Sequence, residues 1–272
     1  MKILQYKKNN FIKDFNKLNQ KRLNFISNNH RIETQVKRIL SSIKNNGDKA
    51  LFDYCKKFDK SKVNKKNILI SKKIKKNSKN LIDLEVLQAF KKAIQNLKNY
   101  HKKQLPKNYK ITKKGIQIGS IWKPIESVGL YVPGGKAAYP SSLIMNVVPA
   151  LVAGVKRIVV VTPSINNFIN PYILSLLDLL KIEEAYQIGG AHSIGALAYG
   201  TKIIDPVKKI FGPGNQYVTV AKKQVYGNVG IDLIAGPSEI VVVADKSNNP
   251  DWVAADIIAQ AEHDENAQSI LI

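Results

Sequence analysis

Cysteine is almost absent from this 272-residue chain, which contains only Cys55. A single cysteine excludes an internal disulfide and suits a reducing compartment, so we expect a cytoplasmic protein. The thiol lies in an amphipathic stretch, where a lone cysteine is more often a packing residue than a reactive one.

Long apolar runs are also missing. The N-terminal residues 1–15 have no apolar segment of the length that a secretory signal needs. No stretch approaches the roughly 18 to 20 consecutive apolar residues of a membrane span. We therefore expect neither export nor a membrane anchor.

Arginine is scarce although the chain is strongly basic, because only 4 of its 43 basic residues are arginine. Residues 1–120 carry 32 basic and 7 acidic side chains, whereas residues 121–272 carry 11 and 13. A basic first part could attract nucleic acid, and a non-catalytic protein that binds nucleotides or nucleic acid is the alternative function. Arginine is the side chain suited to bidentate phosphate and base contacts, so its scarcity argues against a nucleic-acid partner.

The usual glycine fingerprints of nucleotide-binding proteins are missing as well. Neither G-x-G-x-x-G nor G-x-x-x-x-G-K-[ST] occurs, and Tyr217 stands where Gly212 and Gly214 would require a third glycine. Four other glycine-rich turns nevertheless follow predicted strands. They are Pro133-Gly134-Gly135, Gly189-Gly190-Ala191, Gly212-Pro213-Gly214-Asn215 and Ala235-Gly236-Pro237-Ser238. Each turn alone is ordinary chain reversal, but four in one sheet favour a nucleotide or a similar polar ligand.

Strand and helix patterns alternate from residue 127 onward, which predicts an α/β fold with Rossmann-like parallel sheets and flanking helices. A helical N-terminal region precedes them. The predicted strands are 67–71, 115–122, 128–132, 157–162, 185–188, 207–211, 239–244 and 268–272. The predicted helices are 34–43, 48–55, 84–97, 143–153, 172–180, 191–199, 216–226 and 252–261, with a lysine-rich linker after residue 71. The last strand has no turn or cap behind it, so we expect the chain to stop short of a natural domain end.

Gln260 and His263 are three residues apart at the end of the last predicted helix. This spacing places both on one helix face, where they could offer an amide oxygen and a ring nitrogen to a metal ion or substrate. The alternative is a polar helix end that faces solvent. Zinc sites normally use three or four protein ligands, so the pair alone does not establish a metal site.

Four runs of residues, in this order, resemble the L-histidinol dehydrogenase family. They are Ser127–Gly135, Phe211–Asn215, Ala235–Glu239 and Ala259–Asp264. The stretches Asn46–Leu51 and Lys57–Asp59 are also similar to that family. The resemblance implies a zinc-dependent homodimer that oxidises L-histidinol to L-histidine through the aldehyde, by two hydride transfers to NAD, in the last steps of histidine biosynthesis.

The resemblance also implies roles for individual residues. Gln260 and His263 are expected to bind zinc and face the substrate, and Ser238 is expected to contact the substrate. Tyr131 and Asn215 are expected to contact NAD. His192 stands where the family usually has glutamine near NAD, and it is either a further NAD contact or a surface or packing histidine.

The resemblance further implies a division into domains and an incomplete active site. We expect an N-terminal helical arm at 1–30, a first α/β domain from 31–126 and 239–272, and an NAD-binding Rossmann-like domain at 127–238. The family's catalytic Glu-His pair and its other two zinc ligands lie downstream of residue 272. We therefore expect no catalytic residue in this chain and negligible activity by itself, as a fragment or a decayed copy; a Rossmann-like remnant without any ligand is the third possibility.

Overall fold

The computed structural model describes residues 10–27, 30–134, 139–234, 238–262 and 267–272. Contacts within the chain divide it into two compact units, Met1–Leu233 and Ile234–Ile272. The predicted domain boundaries after residues 30, 126 and 238 stay a prediction.

The described residues form helices, strands, one π-helical turn and one 3₁₀ turn. The helices are α1 Phe11–Ser27, α2 His30–Tyr54, α3 Lys72–Asn77, α4 Leu84–Lys102, α5 Pro140–Ala153, α6 Pro171–Leu179, α7 Gly190–Tyr199, α8 Gln216–Val225 and α9 Pro250–Ala261. The strands are β1 Tyr109–Lys113, β2 Ile116–Ser120, β3 Ser127–Tyr131, β4 Arg157–Val161, β5 Glu184–Tyr186, β6 Lys209–Phe211, β7 Gly230–Ile231, β8 Glu239–Val242 and β9 Gln268–Leu271. A π-helical turn spans Cys55–Asp59 and a 3₁₀ turn spans Ser78–Leu81.

Five strands of the first unit form a parallel sheet in the order β5-β4-β3-β6-β7. The predicted α/β class with a parallel sheet is therefore confirmed. The central strand β3 is buried along its whole length, as expected of a strand covered on both faces. The chain moves outward from β3 to β5 and then crosses back to place β6 on the other side of β3. This reversal creates a topological switch point between β3 and β6.

Helices cover both faces of the sheet. Helices α2, α7 and α8 pack together on one face, and α4, α5 and α6 pack on the other. Successive residues of β4 alternate between the two cores: Val159 and Val161 belong to one, and Val160 belongs to the other. This alternation follows from the two-residue period of a strand and explains why the strand is apolar throughout.

One predicted strand and one predicted linker are wrong. Residues 67–71 form only an isolated bridge, from Leu69 to Tyr186, rather than a strand. The lysine-rich segment after residue 71 contains helix α3, whose first turn is capped by the Ser71 hydroxyl. Lys75 of this helix is buried because its ammonium group donates to the carbonyl oxygens of Ile182, at 2.6 Å, and Glu183, at 3.2 Å. Burial lowers the pKa of Lys75.

Two predicted chain reversals are confirmed. Helix α2 is interrupted at Gly47, which has a φ of 51°, so the predicted stop at Asn46-Gly47 is real. Strands β1 and β2 form an antiparallel hairpin in which Lys114 and Gly115 both have positive φ, as a tight two-residue hairpin turn requires. The sequence pattern showed only the second of these strands.

The second unit is a β-α-β arrangement. Strand β8 pairs in parallel with β9, and α9 connects them, which confirms the predicted last helix and final strand. The Ser269 hydroxyl donates to the Ile257 carbonyl at 3.1 Å and ties β9 to the helix. Among the described residues, no helix is both long and apolar enough to cross a membrane.

Candidate nucleotide-binding site

The switch point brings the carboxyl ends of β3 and β6 together, with Leu130 opposite Phe211. Gly212 directly follows β6 and has a φ of 115°. A Cβ at this position would lie 2.1 Å from the Tyr131 carbonyl oxygen, so only glycine fits. The turn from Gly212 to Asn215 is therefore held against the end of β3.

An ion pair between buried Lys222 and partly buried Asp232 holds the same turn. The Gly212 amide donates to Asp232 at 2.9 Å, and the Gly212 carbonyl accepts from the Lys222 ammonium group at 3.0 Å. Lys222 and Asp232 also form an ion pair with each other. Both backbone groups of Gly212 are thus bound to one charged pair, which fixes the start of the turn.

Asn215 closes the turn and begins helix α8. Its side-chain oxygen accepts from the Val218 amide at 3.2 Å, which is the geometry of an N-terminal helix cap. The residue is exposed, and no described bond uses its amide nitrogen. An exposed amide donor beside a helix N-terminus suits the phosphate or ribose of a nucleotide.

Tyr131 ends β3 and is 4% exposed. Its hydroxyl accepts from the Gly190 amide at 3.3 Å, which joins the end of β3 to the start of α7. Burial raises the pKa of Tyr131 to about 12. The side chain is thus a neutral phenol in the wall of the switch point.

His192 lies in the first turn of α7, and its ring has no exposed surface. Its Nε2 is 3.5 Å from Asp59 Oδ2, and the Tyr54 and Phe58 rings are centred 6.0 and 6.1 Å from it. The imidazole is enclosed, and its role as an NAD contact stays a prediction. A surface position is wrong, since the ring is fully interior.

Sequence reasoning missed two residues beside this histidine. Cys55 and Asp59 lie at the two ends of the π-helical turn, and their ligand atoms and a ring nitrogen of His192 all lie within 4.8 Å of one another. Burial, assisted by the Asp59 charge, raises the pKa of the Cys55 thiol to about 12. The sequence shows that Cys55 and Asp59 are four residues apart. It does not show that His192 lies beside them, because His192 is distant in the chain.

The predicted zinc and substrate residues belong to the second unit. Ser238 is exposed, and its carbonyl oxygen accepts from the Gln268 amide at 3.0 Å. Gln260 is half-buried in the last turn of α9, as predicted. His263 lies outside the described residues. Of the two predicted zinc ligands, the structure therefore describes only Gln260. Its amide oxygen fits part of a zinc site.

An open cleft of about 460 Å³ lies elsewhere, at the amino ends of β6 and β7. Pro206, Lys208 and Tyr226 contribute to its walls. Ligands of parallel sheets bind at the carboxyl ends of the strands, so this cleft is on the wrong edge for the predicted nucleotide.

Comparison with known proteins gives a family match and several similar proteins. The family model for histidinol dehydrogenase matches residues 24–272. The histidinol dehydrogenase of Mesorhizobium japonicum is 50% identical over 242 residues, which cover 89% of this chain and 56% of the relative. That of Listeria innocua is 49% identical over 257 residues, which cover 94% of this chain and 60% of the relative.

A solved structure shares the fold. The crystal structure of histidinol dehydrogenase from Elizabethkingia anophelis matches with a TM-score of 0.82 and 41% sequence identity, over 88% of this chain and 56% of that protein. The chain thus spans little more than half the length of these relatives. The family match over residues 24–272, together with this shared fold, shows that the chain belongs to the histidinol dehydrogenase family.

Proposed function

We propose that this chain forms the NAD-binding part, and some of the substrate-binding part, of an enzyme that oxidises L-histidinol to L-histidine. The observation that supports it most is the switch point between β3 and β6. There the Gly212 to Asn215 turn is fixed against Tyr131 by a close backbone contact and by the Lys222–Asp232 pair. A rigid turn that ends in an exposed helix cap is suited to a dinucleotide that lacks the usual glycine fingerprint.

The residues of this chain then have separate tasks. Asn215 donates to the polar part of NAD, and the amino end of α8 offers partial positive charge. Tyr131 keeps the ends of β3 and α7 together. When bound, NAD supplies the acceptor for the two hydride transfers.

In this proposal, the substrate-binding residues of the chain are Ser238, Gln260 and His263. When bound, zinc supplies a Lewis acid that holds the amine and imidazole of L-histidinol. An amide oxygen and an imidazole are neutral ligands, so they leave the charge of the ion largely available to the substrate. The catalytic Glu-His pair, the other two zinc ligands and the homodimer are properties that we expect of the longer protein.

NAD titration of residues 1–272 by calorimetry tests the cofactor part. Asn215→Ser keeps an oxygen that can cap α8 but removes the amide nitrogen, so we expect about tenfold weaker NAD binding and little change in stability. Asn228→Ser is the matched control, because Asn228 is exposed at the opposite edge of the sheet. Equal NAD affinity of both variants would contradict the assigned site.

Turnover tests the substrate part. We expect purified residues 1–272 to produce no measurable NADH from L-histidinol and NAD, because two zinc ligands are too few for a catalytic site. We expect production from an extended chain that also carries the C-terminal part of the family, with the Glu-His pair and the other two zinc ligands. If an extended chain binds NAD but produces no NADH, L-histidinol is not the substrate. The assigned NAD site would still stand.

A further inference from the structure

Three potential metal ligands of the first unit converge in the interior. Cys55 Sγ, a carboxylate oxygen of Asp59 and a ring nitrogen of His192 all lie within 4.8 Å of one another. Cys55 and His192 have no exposed surface, and Asp59 is 7% exposed. The three residues come from the π-helical turn after α2 and from the first turn of α7, so two packed elements hold them together.

The polar atoms of this cluster are unsatisfied. Neither ring nitrogen of His192 nor Asp59 Oδ2 makes a hydrogen bond within the described part of the chain. His192 Nε2 and Asp59 Oδ2 are 3.5 Å apart, which is close enough for an ion pair but without the alignment of a hydrogen bond. Buried polar groups are normally satisfied, and a buried carboxylate without a partner costs several kcal/mol. A bound cation would satisfy the Asp59 carboxylate and one ring nitrogen of His192 at once.

We propose that Cys55, Asp59 and His192 bind one zinc ion between the π-helical turn and α7. A thiolate with an imidazole is a ligand combination that selects zinc over magnesium or calcium, which prefer oxygen alone. Bonds of about 2.0 to 2.3 Å place the ligand atoms of a tetrahedral zinc site about 3.5 Å apart. The Asp59 to His192 separation already has this value, and the sulfur needs to approach by at most about 1 Å.

The surroundings suit a structural role. The rings of Tyr54, Phe58 and His192 are grouped at centroid separations of 5.6 to 6.1 Å, and Phe58 is half exposed over the cluster. Binding releases the thiol proton to solvent, and the ion then joins the π-helical turn to α7. The fourth position is left to a water molecule or to the second oxygen of Asp59.

Cobalt(II) titration of metal-free residues 1–272 tests this site. Cys55 is the only cysteine of the chain, so a thiolate-to-cobalt charge-transfer band in the near ultraviolet can come only from this residue. The Gln260 and His263 pair contains no sulfur and cannot produce the band. We expect the band to saturate at one cobalt per chain and to disappear when zinc is added.

Variants determine whether all three ligands take part. Cys55→Ser is expected to abolish the band, with Cys55→Ala as a second variant if the serine protein fails to fold. His192→Gln and Asp59→Asn are each expected to weaken cobalt binding at least tenfold, and zinc is expected to raise the thermal midpoint of the wild type only. Absence of the band in folded wild-type protein, or an unchanged band in both His192→Gln and Asp59→Asn, would overturn the proposal. Failure of zinc to displace cobalt would overturn the choice of metal.

Discussion

At the residue scale, Gly212 shows how a turn is specified by contact rather than by backbone freedom alone. Gly212 and Gly227 both have strongly positive φ, of 115° and 100°. A Cβ at Gly212 would lie 2.1 Å from the Tyr131 carbonyl oxygen, whereas a Cβ at Gly227 would have nothing within 4 Å. The sequence marked Gly212 as a turn residue but could not reveal this contact, because the contact joins two different strands.

Gly212→Ala is therefore expected to destabilise the protein far more than Gly227→Ala. Backbone strain at positive φ costs about 1 kcal/mol at either position. The collision with β3 should bring the total for Gly212→Ala to about 3 kcal/mol or more, since backbone must move. The free energy of unfolding in urea measures both, and equal losses would show that the turn relaxes easily.

Because the pKa of Tyr131 is raised, we expect the protein to lose stability at alkaline pH. Its pKa is about 12 in the folded chain and about 10 when unfolded, so the folded state holds the phenol proton more tightly. The contribution of this phenol to the free energy of unfolding is complete below pH 10. It is lost as the pH rises from 10 to 12, by at most about 1.4 kcal/mol per pH unit. Tyr131→Phe should reduce this slope in urea unfolding, and an unchanged slope would show that the Tyr131 phenol is not its source.

At the element scale, periodicity and turn residues predicted the helices that frame the sheet and most of its strands. Helix α3 was not predicted because its many lysines are typical of an exposed linker. The sequence does not show that one of them, Lys75, is buried. Lys75 donates to two carbonyl groups in the segment between α6 and β5, and such a tertiary role has no local pattern. The short strand β7 was also missed, since two residues are too few to show an alternation.

Helix α8 offers a comparison between two adjacent lysines. Lys222 is buried and bonded to Gly212 and Asp232, whereas Lys223 forms an exposed ion pair with Glu33. Lys222→Met leaves Asp232 without its cation, so we expect a loss of about 2 to 3 kcal/mol in the free energy of unfolding. Lys223→Met should cost less than about 1 kcal/mol. If urea unfolding gave the reverse order, the Gly212 turn would not depend on this pair.

At the scale of the whole molecule, the sequence predicted the α/β class and the family, whereas the cluster around His192 needed the structure. The motifs that carry the family resemblance are continuous in sequence, so they were recognisable at once. Asp59 and His192 become neighbours only because α2 packs against α7. The alternative of a nucleic-acid-binding protein rests on charge alone and stays a prediction.

The distribution of the core leads to a prediction about the two units. The buried apolar residues of the described chain all lie between Val36 and Ile231, so the second unit supplies none of them. Residues 1–233 should therefore fold alone and unfold cooperatively in urea, because they contain the whole of that core. Residues 234–272 alone should stay unfolded by circular dichroism, because so short a chain buries too little apolar surface. Loss of cooperative urea unfolding in residues 1–233 would show that this core is not sufficient for folding.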